Sequence, residues 1–163
     1  MKKAIVGIIG PGESATQENI KLAYSIGEVV AKLGFIVLTG GRNCGVMDAA
    51  MKGAKKNKGI TIGILPDDNK ARISTYVDIP ILTGMGNARN NINVLTSDLI
   101  IAVGEGPGTL SEISLALKAN KKILIDKNAK ETLDFLKRFK NSFVLSFDPL
   151  NVNDIEKLIV EYI

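Results

Sequence analysis

Residues 98–113 read DLIIAVGEGPGTLSEI, and this stretch decides the fold. Leu99, Ile100, Ile101, Ala102 and Val103 form an unbroken apolar run. Such a run marks a strand of a parallel sheet whose two faces are both covered. Gly104, Gly106 and Gly108 then permit a sharp turn and leave backbone N–H groups uncovered by side chains. A helix is expected from about Thr109. N–H groups gathered at a helix N-terminus favour an anion, usually a phosphate. Spacing offers a second reading. Thr109 and Glu112 stand as T-x-x-E, a capping box, in which Thr109 caps the helix and Glu112 only returns a bond to the Thr109 N–H. Both readings stay open on sequence. Glu105 also puts a negative charge where a phosphate would lie, unless its side chain points away.

The same strand–turn–helix pattern repeats outward from this stretch. Residues 4–9, AIVGII, are the first strand, and 10–15 fit G-x-G-x-x-A, formally a dinucleotide fingerprint. Ser14 and Gln17 are spaced as a capping box for the next helix. Its inner stripe is Ile20, Ala23, Tyr24, Gly27, Val30 and Ala31, and Gly34 ends it. An NAD site needs an acid near the end of the second strand. Phe35–Leu38 is followed by Thr39, Gly40 and Gly41, so NAD is not expected. GGRNCGVM at 40–47 is another glycine turn, opening a helix to about Lys55. Arg42 in it either meets a phosphate or faces water. Cys44, without a partner base, reads as a small packed residue.

Ile60–Leu65 is the third strand, and the polar loop after it carries Asp67 and Asp68, which read as a turn. Val77–Leu82 is the fourth strand. Gly84 and Gly86 lead to a helix capped by Asn87 and ending near Thr96. Arg89 in its first turn opposes the helix dipole, so it is either solvated or placed to meet an anion or a carboxylate. After the central strand come a helix to Asn120, a strand at Lys122–Asp126, a helix at Glu131–Phe139, a strand at Ser142–Phe147 and a helix at Asn153–Tyr162. Alternation of this kind predicts a single-domain α/β, Rossmann-like, doubly wound parallel sheet over residues 1–163. With strand order 3-2-1-4-5, the glycine-rich turns at 10–14, 40–45, 83–88 and 104–108 share one rim, which argues for a nucleotide-like ligand. A Walker A loop is excluded because no G-K-S/T occurs.

Composition narrows the chemistry. The 163 residues include no histidine and no tryptophan. Ser-His-Asp triads, His-assisted cysteine nucleophiles and His-ligated zinc are therefore excluded, and acid–base work falls to Asp, Glu, Lys or Tyr. A single cysteine rules out an internal disulfide and fits a reducing compartment. The N-terminal apolar run is broken by Gly10, Pro11 and Gly12, so it reads as a strand and not as a signal peptide. With no run of about 18 apolar residues, no membrane partner is expected, and the location expected is cytoplasmic. The net charge is +4, and the lysines at 52–58, 118–122 and 127–140 lack interleaved aromatics. They read as solvated faces, so no nucleic acid is expected.

GGRNCGVMDAA, GNARN and GEGPGTLSE resemble the Lonely-guy (LOG) superfamily of Rossmann-like proteins, long labelled possible lysine decarboxylases. The resemblance runs from the first strand to about Leu117. The family signature is P-G-G-x-G-T-x-x-E preceded by an Arg-Lys pair. Gly106, Gly108, Thr109, Glu112 and Arg89 match it, while Gly104, Glu105 and Asn90 depart from it. The ARN and GTLSEI forms are similar to a branch that includes molybdenum-cofactor carrier proteins and DprA/Smf-related proteins. For the LOG enzymes the resemblance implies hydrolysis of a nucleoside 5′-monophosphate to free base and ribose 5-phosphate. Arg89 and Glu112 would then be the catalytic pair. Gly106, Gly108 and Thr109 of the 106–109 loop would hold the phosphate, while Gly10, Gly12, Gly40, Gly41 and Arg42 are expected at the nucleotide from the shared rim of glycine-rich turns. No metal and no cofactor is required, since a carboxylate can stabilise the developing oxocarbenium. The alternative is a non-catalytic nucleotide- or molybdenum-cofactor (pterin)-binding carrier. The Arg–Glu pair favours the hydrolase, and Glu105 and Asn90 favour the carrier; the hydrolase is the expectation taken forward. Family precedent also implies a homodimer or homotetramer, helped by the apolar residues Ile92, Val94, Leu95, Ile113, Leu115, Ala116 and Leu117.

Overall fold

The computed structural model describes residues 3–139 and 143–163. In it the apolar run becomes β5 (Leu99–Ala102), buried at every residue. β5 lies beside β1 (Ile5–Ile9). The sheet continues through β2 (Ile36–Thr39), β3 (Thr61–Leu65) and β4 (Ile79–Leu82) on one side, and β6 (Lys122–Asp126) and β7 (Val144–Phe147) on the other. All six strand-to-strand pairings of the sheet are parallel, with Ile8 opposite Ile101 and Gly7 opposite both Leu38 and Ile100.

Alternate residues of β5 serve opposite cores, as the period of a strand requires. Leu99 and Ile101 pack with α1 (Gln17–Lys32), α2 (Gly45–Lys56) and α6 (Val152–Tyr162). Ile100 and Ala102 pack with α3 (Asn90–Thr96), α4 (Pro107–Lys118) and α5 (Lys130–Leu136). This is the expected Rossmann-like architecture. α1 and α2 approach closely because Gly27 and Gly53 face each other's helix: a Cβ on Gly27 would overlap the Ala50 carbonyl oxygen, and one on Gly53 the Tyr24 carbonyl oxygen. Ile20 and Tyr24, expected on the inner stripe, are only partly buried, and Leu22, Ile26 and Val29 go inside.

Three expectations are corrected. The order is β4-β3-β2-β1-β5-β6-β7, so the fourth strand lies at the edge beyond β3 and not beside β1. The place beside β1 is buried on both faces and goes to the wholly apolar β5. β4 is half exposed and contains Pro80, a residue that sheets confine to their edges. The cap of α1 is Thr16, whose hydroxyl accepts from the Asn19 N–H while the Asn19 side chain accepts from the Thr16 N–H; Ser14 and Gln17 form no capping box. Asn87 lies within a 3-10 turn, Gly86–Arg89, that runs into α3 with no side-chain cap. Ser142, the expected start of the seventh strand, and Lys140, the end of the third lysine stretch, lie outside the described residues.

Candidate functional site

The rim formed by the ends of β1, β2 and β5 holds a cleft of about 600 Å³. Its walls include Gly10, Gly12, Gly40, Arg42, Arg89, Gly108 and Glu112. Of the residues expected at the site, Gly41, Gly106 and Thr109 do not line this cleft, the last two lying at the start of the helix beside it and Gly41 on another side. Gly41 packs beneath the wall against Gly63, with φ at +74° and its N–H donated to Thr39 Oγ1. Only glycine meets both the positive φ and that close approach.

α4 starts at Pro107, two residues earlier than expected, and its N-cap is Gly106, which offers no capping side chain. Pro107 lacks an N–H that the helix would not use. Thr109 therefore sits inside the first turn, nearly fully buried at 3%, and its Oγ1 has no hydrogen-bond partner. The capping-box reading is overturned: Glu112 turns away from the helix end and inward. Asn93 Nδ2 donates to Glu112 Oε1 at 2.8 Å, and Arg89 Nη1 lies 3.8 Å from the same oxygen. Both partners of this ion pair are buried. Burial pushes the Glu112 carboxyl above its usual range, with the Asn93 bond and Arg89 acting the other way. Burial likewise lowers the pKa of Arg89, against the pull of Glu112.

Arg89 is placed by its neighbours. Its Nη1 donates to Asn90 Oδ1 at 2.8 Å, and Asn90 Nδ2 donates to Ser111 Oγ at 3.3 Å. Asn90 thus orients the arginine at the position where the LOG signature has lysine. The guanidinium lies where a side chain on Gly40 would stand. Arg89 Nε is buried and has no partner. The charge on Glu105 is directed elsewhere: its carboxylate accepts from the Thr132 N–H at 3.0 Å and Thr132 Oγ1 at 2.6 Å, at the start of α5. The space over Gly108 is open, with no atom within 4 Å of an added Cβ.

Sequence reading missed Asn93, Ser111, Glu13 and Arg72. Asn93 was detectable as a polar residue one helical turn from Arg89 and Asn90, on a face that must be inside. Arg72 lies in the loop after β3 and had no spacing signal. It comes to the rim because the Asn43 N–H donates to the Arg72 carbonyl and the Ser74 N–H to the Gly41 carbonyl. Cys44 is half-buried at the N-cap of α2 and makes no side-chain cap bond. Burial, then Glu13, push its thiol pKa up, with Arg42 and Arg72 opposing. It is not an activated thiolate. Among the described residues no group of three or more His, Cys, Asp or Glu could hold a metal ion, and no helix is long and apolar enough to cross a membrane. A depression of about 500 Å³ between α5 and β7 has no buried side-chain polar atom lacking a partner, whereas the rim cleft has such atoms in and around it.

A family model described as the SLOG cluster4 family matches residues 3–151. The molybdenum cofactor binding protein from the phototrophic bacterium Rippkaea orientalis is 48% identical, with a TM-score of 0.91, covering 98% of this chain and 99% of that one. The molybdenum cofactor carrier protein of Chlamydomonas reinhardtii is 40% identical, with a TM-score of 0.86 and the same coverage of 98% and 99%. An uncharacterized protein of Archaeoglobus fulgidus is 45% identical over 123 residues, 76% of this chain and 80% of that one.

Proposed function

The chain belongs to the SLOG cluster4 family, and on that premise we propose that it binds and carries a phosphorylated pterin of molybdenum-cofactor type, with no catalytic step of its own. The observation that carries the reading is the open N-terminus of α4, where Thr109 Oγ1 is buried without a partner. A buried hydroxyl left unpaired costs about 1–3 kcal/mol, and a bound oxyanion removes that cost. The helix dipole and the uncovered N–H groups of the first turn favour the same occupant. Likeness over nearly the full length to two molybdenum-cofactor proteins supports the pterin. Asn90 in place of lysine supports binding over hydrolysis, because its side chain is uncharged and its Oδ1 is engaged in orienting Arg89.

The runner-up is the LOG reaction, and one observation favours it. Arg89 and Glu112 meet inside the cleft, as an oxocarbenium-stabilising pair would. Against it, the likeness over nearly the full length is to molybdenum-cofactor proteins, and Glu112 is engaged by Asn93 at 2.8 Å. Native mass spectrometry of the purified protein tests the two together with base release from a panel of nucleoside monophosphates. The carrier reading expects a co-purifying phosphorylated pterin and no released base. Base release that is lost in Glu112→Gln would replace it with the hydrolase. Gly108→Val places a side chain in the open space over the α4 N-terminus and should abolish binding without changing the melt. A variant that retains the co-purified ligand would put the phosphate elsewhere.

A further inference from the structure

Arg42 and Arg72 belong to different loops, but the backbone joins them. An antiparallel bridge links Arg42 to Ile73, and the Asn43 N–H donates to the Arg72 carbonyl at 3.0 Å. Both side chains line the cleft. Arg42 is held from behind: Asp67, which is not on the cleft wall, accepts from its Nη2 at 3.3 Å. Arg42 Nε is buried and has no partner at all. Arg72 pairs with Glu13 at 2.7 Å, but Glu13 is 78% exposed and Arg72 50% exposed. Exposed pairs of this kind are worth little, so Glu13 can turn into water and release the arginine. Glu13, Arg42, Arg72 and Cys44 all line the same cleft. Behind Cys44 is the N-terminus of α2, which has no side-chain cap.

We propose that this end of the cleft is a second anion subsite, in which Arg42 and Arg72 grip an oxyanion at the far end of the ligand. The proposal rests on the carrier reading only for the first anion, the one at α4. The sheet sets the separation. β2 and β5 flank β1 on opposite sides, so the two loops stand two strand spacings apart, about 10 Å. Between them lies the loop after β1, with Gly12 facing Cys44 on one side and Pro11 facing Gly106 on the other. The ligand class this selects is an elongated phosphorylated heterocycle with a second oxyanion group opposite its phosphate. Arginine suits that task, since its planar donor fork matches an oxyanion in two-point contact.

Tungstate, a heavy tetrahedral dianion, is the probe. Crystals of the wild-type protein soaked in sodium tungstate should show two anomalous peaks per chain, one at Gly106–Thr109 and one between Arg42 and Arg72. Arg42→Gln and Arg72→Gln should each lose the second peak and keep the first. Glu13→Gln, which removes the competing carboxylate, should raise the occupancy of the second. Arg72 is exposed, so its variant is expected to melt like wild type and loss of fold cannot mimic the result. A peak at α4 alone overturns this subsite and leaves the carrier reading standing. A peak between the arginines alone supports the subsite and removes the phosphate from α4. A second peak undiminished in both arginine variants marks an adventitious ion only and overturns the proposal.

Discussion

Glu112 carries the cost of its own burial. Its folded pKa is raised above the ordinary value of 4.5, with burial as the largest cause. The folded state therefore holds a proton that the unfolded state releases, and stability falls as pH rises from about 4.5 through the raised value. Glu112→Gln abolishes that titration and keeps a polar group for Asn93. Melting temperature against pH should decline over this window in wild type more than in the variant. Parallel curves would mean that the Asn93 bond and Arg89 offset the burial and leave the carboxyl unshifted. The Arg89–Glu112 meeting was legible in the sequence, since an arginine in a first helical turn asks for a negative partner. The Asn90–Ser111 brace was not, because neither residue carries a signal of its own and the contact joins two helices.

Elements borrow their caps from one another. α5 begins after Ala129, which supplies no side-chain cap, and Glu105 reaches over from the loop before α4 to fill that role. Glu105→Ala should cost about 1 kcal/mol, within the range of lost N-caps. Hydrogen exchange should show the first turn of α5 losing protection, while tungstate occupancy at α4 stays the same. A change at α4 would mean that the Glu105 charge does reach the anion. This use of a loop glutamate could not be read from spacing, because 27 residues separate it from Thr132. Strands were easier. The apolar run of β5 announced a place buried on both faces, and only the neighbour beside it was misjudged. Pro80 was the available clue that β4 belongs at an edge. The α1 cap escaped because Asn19 does the work that the familiar pattern gives to Glu or Gln.

At the scale of the whole molecule, the apolar residues of α3 and α4 divide between two destinations. Val94, Ile113 and Ala116 are spent inside the chain's own core. Leu95 at 55% and Leu110 at 40% remain exposed, as do Ile79, Ile81 and Leu82 along the edge strand. Surfaces of this kind invite a partner. We expect a homodimer or homotetramer, and static light scattering at micromolar concentration checks it. A monomer there would leave these residues without an explanation.

The central strand sets an order of events in time. β1 must meet β2, which follows it after one helix, and also β5, and the bond from the Ile5 N–H to Asp98 Oδ2 spans 93 residues of chain. Closing so long a loop is slow compared with closing the first unit. During synthesis, one edge of β1 stays unpaired until β5 has emerged. Pulsed hydrogen exchange during refolding should show the β1–β2 amides protected before the β1–β5 amides; simultaneous protection would contradict this order. The α4 N-terminus reaches the rim only when β5 docks beside β1, so the cleft is absent until that step. A ligand held there binds only chains in which β1, β2 and β5 have met, stabilises only those, and so reports that the two halves of the sheet have joined.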